Sequence, residues 1–580
     1  MLDFSQGFSP ATHLLLTIAA PLVGGLAAWL LGHRGLQAVR QSAAVTSLIT
    51  LGLAATLVLR FLGSEPTAAG GFFASGELGW FVNGPLDIRF SVGLDGLSIW
   101  LFGLSALLTV TAVFVSWEAV QEKAVGFYCL LLLLEAAMLG VFAARDIILF
   151  YVFFEFTLVP LFFLIGIWGH DDRRRAAVKF FIYTFAGSVL AFLGLLAIVL
   201  WHASHTGVLS FDIATLTAGL ASHPLPMTPE WGYLQLWVFL ALFVGFAIKV
   251  PIVPVHTWLP LAHVEAPTGG SVDLAGVLLK IGIYGFLRFS LPMLPEAAAV
   301  AAPWLVALGA IGILYGALVA LVQKDLKRMV AYSSVSHMGY CVMGLFALEP
   351  VAVEGANLQL INHGLASAGL FATVGMIYER YHTRKIAELG GIASQTPWLA
   401  AFFMLFTFSA IGLPGLNGFV GEFMVLAGTF QRAWSGAPAE WATTYLMLAL
   451  LAVAGVVLGA WYMLQAVERV LFGQPRGATA GEHGAHARDL AWYEVAALAP
   501  LGVFIVWIGV FPSPFLRASA VAVTASTQAS SEAFASRVSA SRISATAERD
   551  APASPSAPSA DITLHLGPSH PLSTSNRLAP

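Results

Sequence analysis

The sequence predicts an all-α protein that crosses a membrane many times, and its composition is the first reason. Of its 580 residues, 58% are hydrophobic and only 10% are charged, whereas an ordinary soluble domain carries about 25% charged residues. Mean hydropathy is +0.81. A soluble fold of this length cannot bury so much apolar surface, because chain length limits the buried fraction. The composition therefore excludes a soluble globular protein.

The second observation is a series of apolar windows, each long enough for a helix of about 20 residues across a bilayer. We count fourteen, at 11–31, 42–62, 97–116, 124–143, 147–168, 177–201, 234–255, 270–290, 299–322, 329–347, 357–377, 398–430, 441–471 and 491–514. The twelfth and thirteenth windows are too long for one simple span, so we expect them to tilt, break or project.

The third observation is an unequal distribution of Lys and Arg between the two sets of loops. If the N-terminus lies outside, the inner loops hold fifteen and the outer loops five, and the outer loop 202–233 holds none. The positive-inside rule and the even number of windows then place both termini outside, which is the periplasmic side of the inner membrane if the protein is bacterial. The N-terminal stretch MLDFSQGFSP carries Asp3, and no Lys or Arg precedes Arg34, unlike the basic start of a signal peptide.

Breaks in two of the windows predict an internal repeat. In the seventh window Pro251 and Pro254 follow Lys249 closely, and in the twelfth the stretch GLPGLNG occupies 412–418. Helices 7 and 12 are therefore expected to be broken, since proline removes a backbone donor. Their five-helix separation indicates two inverted repeats. The predicted organisation is helices 1–3 in 1–123, repeats in 124–295 and 296–475, a loop with helix 14 in 476–516, and a disordered Ser/Ala/Pro-rich tail in 517–580.

Several ionisable side chains fall inside the predicted spans, where each charge costs about 2.5–3.5 kcal/mol. They are Glu135, Glu155, Lys179, Lys249, Lys280, His337, His363 and Glu422. Desolvation favours the neutral form of such groups and pairing favours the charged form, so an approaching charge can change their protonation. A row of coupled pairs wetted by internal water is a path for protons.

Structural interpretations of these residues stay open. Lys179 lies near the end of its span, where its stem can reach the headgroups. His337 and His363 can hydrogen bond between helices, and buried ion pairs can fix helix packing without transport.

Five stretches resemble a known family. They are FYVFFEFTLVPLFFLIGIWG, KFFIYT, FAIKVPIVPVHTWLPLAHVEAPTGGSVDLAGVLLKIGIYG, DLKRMVAYSSVSHMGY and GLPGLNGFVGEF. In this order they closely resemble the antiporter-like subunits of respiratory complex I, the bacterial NADH:quinone oxidoreductase, and most closely the M type. The resemblance covers about residues 10–515.

The resemblance implies roles for most of the intramembrane charges. Glu155 and Lys249 match the glutamate–lysine pair of one half-channel, Lys280 a central lysine, and Glu422 a glutamate in the broken twelfth helix. His337 and His363 match histidines on the axis between them, and Glu135 matches an acidic residue of the fourth helix. Lys179 remains a weaker candidate.

The same resemblance implies that protons move along a hydrated mid-membrane axis, driven by quinone reduction in other subunits. Two residues depart from the usual pattern: Leu261 stands where an Asp is common, and Asp273 where an apolar residue is common. This loss of one acidic residue and gain of another either alters proton entry near the eighth helix or is neutral drift.

The sequence also predicts which cofactors and substrates bind to other subunits and not to this chain. Cys129 and Cys341 lie in separate apolar runs, so neither a disulfide framework nor a Cys-ligated cluster is expected. No Gly-rich nucleotide loop, trustworthy haem ligand pair or basic run for nucleic acid is visible. We therefore expect no cofactor and no metal in this chain, with NADH and quinone handled by other membrane-complex subunits. A subunit of an Mrp-type sodium/proton antiporter, a membrane-bound hydrogenase subunit and a purely structural membrane subunit remain alternatives.

Overall fold

The computed structural model describes residues 9–64, 71–83, 86–437, 441–481 and 487–550. The helices up to the middle of the chain are α1 Pro10–Leu31, α2 Leu36–Gly63, α3 Ile99–Val115, α4 Ala124–Ala143, α5 Ile147–Phe156, α6 Leu158–Trp168, α7 Arg173–Thr206, α8 Ile213–Ser222, α9 Leu234–Lys249, α10 Trp258–Glu265, α11 Thr268–Asp273, α12 Lys280–Gly285 and α13 Leu291–Met293. The later helices are α14 Pro295–Leu321, α15 Leu326–Phe346, α16 Pro350–Tyr381, α17 Ile392–Gln395, α18 Pro397–Ala410, α19 Asn417–Gln431, α20 Ala442–Leu471, α21 Trp492–Val510 and α22 Ser513–Asp550. Segments of π-helix occupy Leu274–Leu278, Phe286–Ser290 and Arg432–Gly436.

The prediction of an all-α protein with many membrane spans is confirmed. Within the described residues, ten helical stretches are long and apolar enough to cross a membrane. The remaining predicted windows coincide with shorter or more polar helices: α3, α9, α15, and the pair α18 and α19. The breaks predicted in the seventh and twelfth windows are confirmed, because α9 ends at Lys249 and α18 ends at Ala410. The count of fourteen and the inverted repeats stay predictions.

Two stretches form the centre of the bundle. The most apolar windows of 268–293 and of α16 are each 100% buried, against 33% for those of α2 and α20. Long polar-containing helices are stable there because neighbouring helices replace the lipid. Glycines permit the closest approaches, as membrane helices pack through small residues. A Cβ on Gly309 of α14 would lie 2.9 Å from the carbonyl oxygen of Gly339 on α15.

A β-hairpin lies between α2 and α3, where the apolar windows predicted no element. Strands β1 Phe73–Asn83 and β2 Leu86–Leu94 pair antiparallel. Directly after β2, Asp95 forms a buried ion pair with Arg288 at 2.7 Å. The hairpin is thereby tied to the end of the central stretch 268–293.

The prediction of a disordered tail is wrong for residues 517–550, which belong to α22. Alanine is the strongest helix former and is frequent in this segment. Phe515, Val523, Phe534 and Val538 are buried against the bundle. Ser530 Oγ also donates to the Leu291 carbonyl at 2.6 Å. The few large apolar residues suffice because the helix packs on a core that already exists. Residues 551–580 lie outside the described part of the chain.

Candidate functional site

The break after α9 places Lys249 inside the bundle. Pro251 cannot donate a backbone hydrogen bond, so carbonyls at the end of α9 need other partners. Trp258 Nε1 donates to the Ile248 carbonyl at 2.9 Å. Lys249 is 3% exposed, and its Nζ donates to Thr157 Oγ1 at 3.2 Å. The ammonium group also lies 4.8 Å from the centre of the Phe154 ring, a favourable cation–π position.

Glu155 lies on the last turn of α5, between Phe154 and Thr157, the two partners of Lys249. Its carboxyl group interacts with the side chains of Tyr151 and Ser188 and acts electrostatically on Lys249. One of its oxygens, Oε1, is buried without a hydrogen-bond partner. The predicted Glu155–Lys249 pair thus forms no direct ion pair in this structure: the two side chains lie near enough to act on each other electrostatically, and the ammonium group is hydrogen bonded to Thr157.

Lys280 lies at the start of α12, directly beyond the π-helical segment 274–278, and is fully buried. Its Nζ donates to the Ala275 carbonyl and lies 2.8 Å from His363 Nδ1. π-Helical turns are rare and are frequent at functional sites. In this helix the turn presents a backbone carbonyl to a lysine in the middle of the bundle.

From Lys280 a continuous row of polar side chains crosses the second half of the molecule. The imidazole rings of His363 and His337 are 5.4 Å apart between centroids. His337 Nδ1 lies 3.0 Å from Glu422 Oε1, and Gln359 Nε2 donates to the same oxygen at 3.2 Å. We call Lys280, His363, His337 and Glu422 the central row. The structure joins these four predicted residues through direct side-chain contacts.

The break between α18 and α19 positions the Glu422 end of the row. Gly412 and Gly415 have φ values of +70° and +92°, which glycine adopts without steric cost. Asn417 Oδ1 accepts from Ser409 Oγ at 2.6 Å, and Asn362 Nδ2 donates to the Asn417 carbonyl at 2.8 Å. The backbone groups that the break frees are therefore satisfied by amide and hydroxyl side chains.

The two weaker candidates lie in different surroundings. Glu135 on α4 is 0% exposed, and neither of its carboxyl oxygens has a hydrogen-bond partner. Lys179 is half-buried on α7, donates to the Thr257 carbonyl at 3.1 Å and lies against Tyr183. Lys179 thus fastens α7 to the broken helix, which fits its structural interpretation.

One end of the bundle carries Arg173, Lys327 and Arg384, and we call it the basic face. Lys327 is buried and donates to the Ala266 carbonyl at 2.6 Å. In the loop before α7, burial and the nearby charges of Lys327 and Arg384 lower the pKa of His170 to about 4. The His170 ring is consequently neutral at pH 7, and it packs edge-on against Tyr378. This face corresponds to the predicted cytoplasmic side.

Sequence reasoning missed several polar residues around the central row. Gln359, Asn362 and Asn417 were not proposed, although they support Glu422 and the break. His263 was present in a family-like stretch but was not selected, and it is fully buried. The lysines were selected because each is a polar residue within an apolar span, and the same criterion would have selected these four residues. Among the residues that the structure describes, no three His, Cys, Asp or Glu side chains are arranged to hold a metal ion.

Comparisons with known proteins define the class to which this fold and this row of charges belong. Residues 144–464 match the family described as NADH:quinone oxidoreductase/Mrp antiporter, TM, and the chain belongs to this family. Within the family, the NADH-quinone oxidoreductase subunit M of Rhodobacter capsulatus is 42% identical over 475 residues, which cover 81% of this chain and 87% of that protein. The predicted resemblance to the M-type subunits of complex I is confirmed.

Solved structures show the same fold. A chain of the respiratory complex I from Thermus thermophilus with bound NADH is similar with a TM-score of 0.75 and 33% identity, covering 89% of this chain and 99% of that one. A chain of the Mrp complex from Dietzia sp. DQ12-45-1b reaches a TM-score of 0.73 at 20% identity, covering 91% and 99%. The second likeness concerns the fold alone.

Proposed function

We propose that this chain is a proton-translocating membrane subunit of a bacterial NADH:quinone oxidoreductase. The observation that carries the proposal is the central row, in which Lys280 contacts His363 and His337 contacts Glu422 inside a bundle centre closed to lipid. A structural ion pair needs only one partner for each charge, whereas here four ionisable side chains follow one another. The similarity to subunit M of other bacteria supports the assignment to this enzyme complex.

Each group of the row can hold a proton and lies beside the next. A proton leaving the Lys280 ammonium group is accepted at His363 Nδ1, 2.8 Å away. The two histidine rings then separate this position from the Glu422 carboxyl group. Protonation of one group changes its neighbours because the interior screens charge poorly: two charges about 10 Å apart interact by about 1.7 kcal/mol at an effective dielectric constant of 20. That energy corresponds to more than a tenfold change in a protonation equilibrium.

The Glu155–Lys249 pair supplies the charge that acts on the row from the first half. When the pair is intact, the two charges largely cancel at a distance. When Lys249 or Glu155 changes protonation, Lys280 experiences an uncompensated charge. Quinone reduction in other subunits drives this cycle, and electron carriers, NADH and quinone belong to those subunits. The chain acts as a multi-pass protein of the bacterial inner membrane.

An Mrp-type sodium/proton antiporter subunit is the second candidate, because the family description and the fold include that class. The two functions differ in what drives the protons. Proton movement that depends on NADH oxidation, and not on a sodium gradient, supports the first. Proton movement driven by sodium in the absence of NADH and quinone supports the second.

Substitution of the first-half pair tests whether the chain conducts protons or only supports the complex. We expect Lys249→Ala and Glu155→Ala to lower NADH-driven proton uptake into inverted membrane vesicles by at least about tenfold, while native gels show an assembled complex. Lys324→Ala is the matched control because Lys324 is exposed in a loop. Undiminished uptake by both first-half variants in an assembled complex would support a purely structural subunit instead.

A further inference from the structure

Two hydrogen-bond donors meet at one oxygen of the Glu422 carboxyl group. His337 Nδ1 lies 3.0 Å from Oε1, and Gln359 Nε2 donates to the same oxygen at 3.2 Å. His337 belongs to the central row, whereas Gln359, on α16, is only 2% exposed and its amide does not titrate. A hydrogen bond to an ionised acceptor is about twice as strong as one between neutral groups. The Gln359 amide therefore holds the carboxylate firmly in this position.

Gln359 is itself fixed between two helices. Its Oε1 accepts from Asn362 Nδ2, also on α16, at 3.3 Å. On the facing helix α19, a Cβ on Gly421 would collide with Gln359 Oε1 and would lie 2.8 Å from Asn362 Nδ2. Because Gly421 has no side chain, the two helices approach until the amide reaches Glu422, the next residue of α19.

The anchor of Gln359 reaches both ends of the break between α18 and α19. Asn362 Nδ2 donates to the Asn417 carbonyl at 2.8 Å, and Asn417 Nδ2 donates to the Asn362 carbonyl at 3.3 Å. Asn417 Oδ1 accepts from Ser409 Oγ, at the end of α18, at 2.6 Å and from the Gly418 amide, at the start of α19, at 2.9 Å. A line of hydrogen bonds therefore runs from the break through both asparagines to the Gln359 amide.

The other oxygen of Glu422 faces the break. Gly412 has a φ of +70°, and a Cβ on this residue would lie 3.0 Å from Glu422 Oε2. The carboxyl group thus has the central row on one side and the broken backbone on the other. A half-turn of the carboxyl group would exchange its two oxygens. The hydrogen bond from Gln359 to Oε1 opposes that turn and so fixes which oxygen meets His337.

Packing alone does not account for this set of amides. Within the described part of the chain, Asn362 Oδ1 is buried without a hydrogen-bond partner, which is unfavourable in a protein interior. Apolar side chains of similar shape avoid this cost, because two hydrogen-bonding partners can be replaced together with little loss of stability. The set is therefore expected to serve the carboxylate that it reaches.

We propose that Gln359 is a positioning residue that keeps Oε1 of Glu422 turned to His337. Asn362 and Asn417 anchor its amide to the break. The proposal rests on the proton-translocating function argued above. In the transfer, the Nδ1–H bond of protonated His337 breaks and an O–H bond forms at Oε1, so the ring becomes neutral and the carboxylate becomes a carboxyl group. Gln359 gives up no proton. Its hydrogen bond then ends on a neutral oxygen, so the carboxyl group is held firmly before the transfer and less firmly after it.

Substitutions of Gln359 in the assembled complex test the positioning role. Gln359→Met keeps the length of the side chain but removes the amide, and NADH-driven proton uptake should fall by at least about fivefold, because a misplaced acceptor reacts slowly. Gln359→Asn keeps the amide but is one methylene too short, so a similar loss is expected, and it serves in place of Gln359→Met if that variant does not assemble. Gln121→Met is the matched control in an exposed loop. Uptake at the wild-type rate in the assembled Gln359 variants overturns the proposal.

Chemical modification of Glu422 gives a readout that a merely structural role would not change. A hydrophobic carbodiimide reacts with protonated carboxyl groups, and mass spectrometry of the assembled complex quantifies the modified peptide. A carboxylate that loses a hydrogen-bond donor takes up a proton more readily, so modification of Glu422 should rise by at least about twofold in Gln359→Met. The other titratable groups near Glu422, all unchanged in this variant, are His337, Tyr340, Cys341 and Tyr462.

Removal of the anchor tests the line to the break. Asn362→Leu leaves Gln359 in place but removes the amide that fixes it, so modification of Glu422 should rise by less than in Gln359→Met. A rise in Gln359→Met alone would support the positioning role and refute the anchor. Equal modification in the wild type and in both variants overturns the proposal.

The same measurements separate this proposal from the function on which it rests. If the Gln359 variants translocate protons and are modified like the wild type while Lys280→Met does not translocate, the positioning role is refuted and the translocating function stands. If Lys280→Met also translocates protons normally, the translocating function is refuted and the positioning role with it.

Discussion

The two halves of the molecule hold their buried charges in different ways. In the second half, residues 296–475, the side chains of His363, His337 and Glu422 follow one another, and His363 contacts Lys280 near the end of the first half, residues 124–295. In the first half, Lys249 is hydrogen bonded to Thr157, and its connection with Glu155 is electrostatic. Close to the two lysines in the chain, Val250 at the end of α9 packs against Gly282 of α12. A Cβ on Gly282 would lie 2.5 Å from the Val250 side chain.

This difference separates two ways in which buried charges communicate. Along the central row, direct exchange is possible between Lys280 and His363 and between His337 and Glu422, whereas the two histidine rings are in ring contact without a hydrogen bond between them. We expect the first half to act on that row through its electric field, because the Lys249 ammonium group is hydrogen bonded to Thr157 and not to a member of the row. A field needs low dielectric surroundings and no direct contact, whereas exchange needs hydrogen-bond distances. The first half is therefore suited to control the row and the second half to conduct.

The largest effect is expected at Lys280, where the two halves meet. Lys280→Met keeps the length of the stem but removes the proton-carrying group, so proton uptake should fall by about a hundredfold or more. Assembly should survive, because replacing a buried charge by an apolar side chain of similar volume is often neutral. Lys324→Met is the control on an exposed lysine. Normal uptake by the assembled Lys280→Met complex would contradict the division into two halves.

Two substitutions compare the loss of a side-chain contact to Lys280 with the loss of a side-chain contact to Lys249. His363→Phe removes a group that lies 2.8 Å from Lys280, and proton uptake should drop by about tenfold or more. Thr157→Val removes only the hydroxyl that accepts from Lys249 and no proton-carrying group, so the loss should be smaller than that of His363→Phe. Equal losses in vesicles with equal amounts of assembled complex would mean that both halves conduct by contact.

Packing close to the two lysines can be disturbed without touching a charge. Gly282→Ala introduces a methyl group where Val250 and the Phe246 carbonyl leave no space. Overpacking of this kind costs about 1–3 kcal/mol, so the thermal unfolding midpoint of the purified complex should fall. Gly459→Ala is the matched control, because no atom lies within 4 Å of the added Cβ. An unchanged midpoint for Gly282→Ala would show that the contact between α9 and α12 is loose.

The smallest effect concerns the loop through which the first half meets Tyr378 of the second. The pKa of His170 is lowered from 6.5 to about 4 by burial and by Lys327 and Arg384. Folding therefore favours the neutral ring of His170. Its contribution to the free energy of unfolding is complete above pH 6.5 and is lost as the pH falls from 6.5 towards 4, because the unfolded protein binds the proton more readily. His170→Gln should reduce the drop in thermal midpoint between those pH values. The control His33→Gln changes an exposed histidine. An equal drop in thermal midpoint in the wild type, His170→Gln and His33→Gln would exclude this role for His170.

The sequence could predict the features that depend on local composition. The apolar windows predicted the membrane spans. Pro251 and the glycines of 412–418 predicted the two breaks, because the backbone geometry of proline and glycine is a local property. Lys249, Lys280 and Glu422 stood out because a charge in an apolar window is rare. The C-terminal helix was missed for the opposite reason. Residues 517–550 look too polar for a core, and only the surface beneath them gives Phe534 and Val538 something to cover.

What the sequence by itself determined is the membrane class, the broken helices and the set of buried ionisable groups, because each follows from the free energy of placing particular residues in lipid. Tertiary structure alone decided which of those groups meet. Lys280 and His363 are 83 residues apart in the chain and 2.8 Å apart in space, and His337 and Glu422 are 85 residues apart and 3.0 Å apart. Proton exchange depends on distances of this order, and they are set by how whole helices pack.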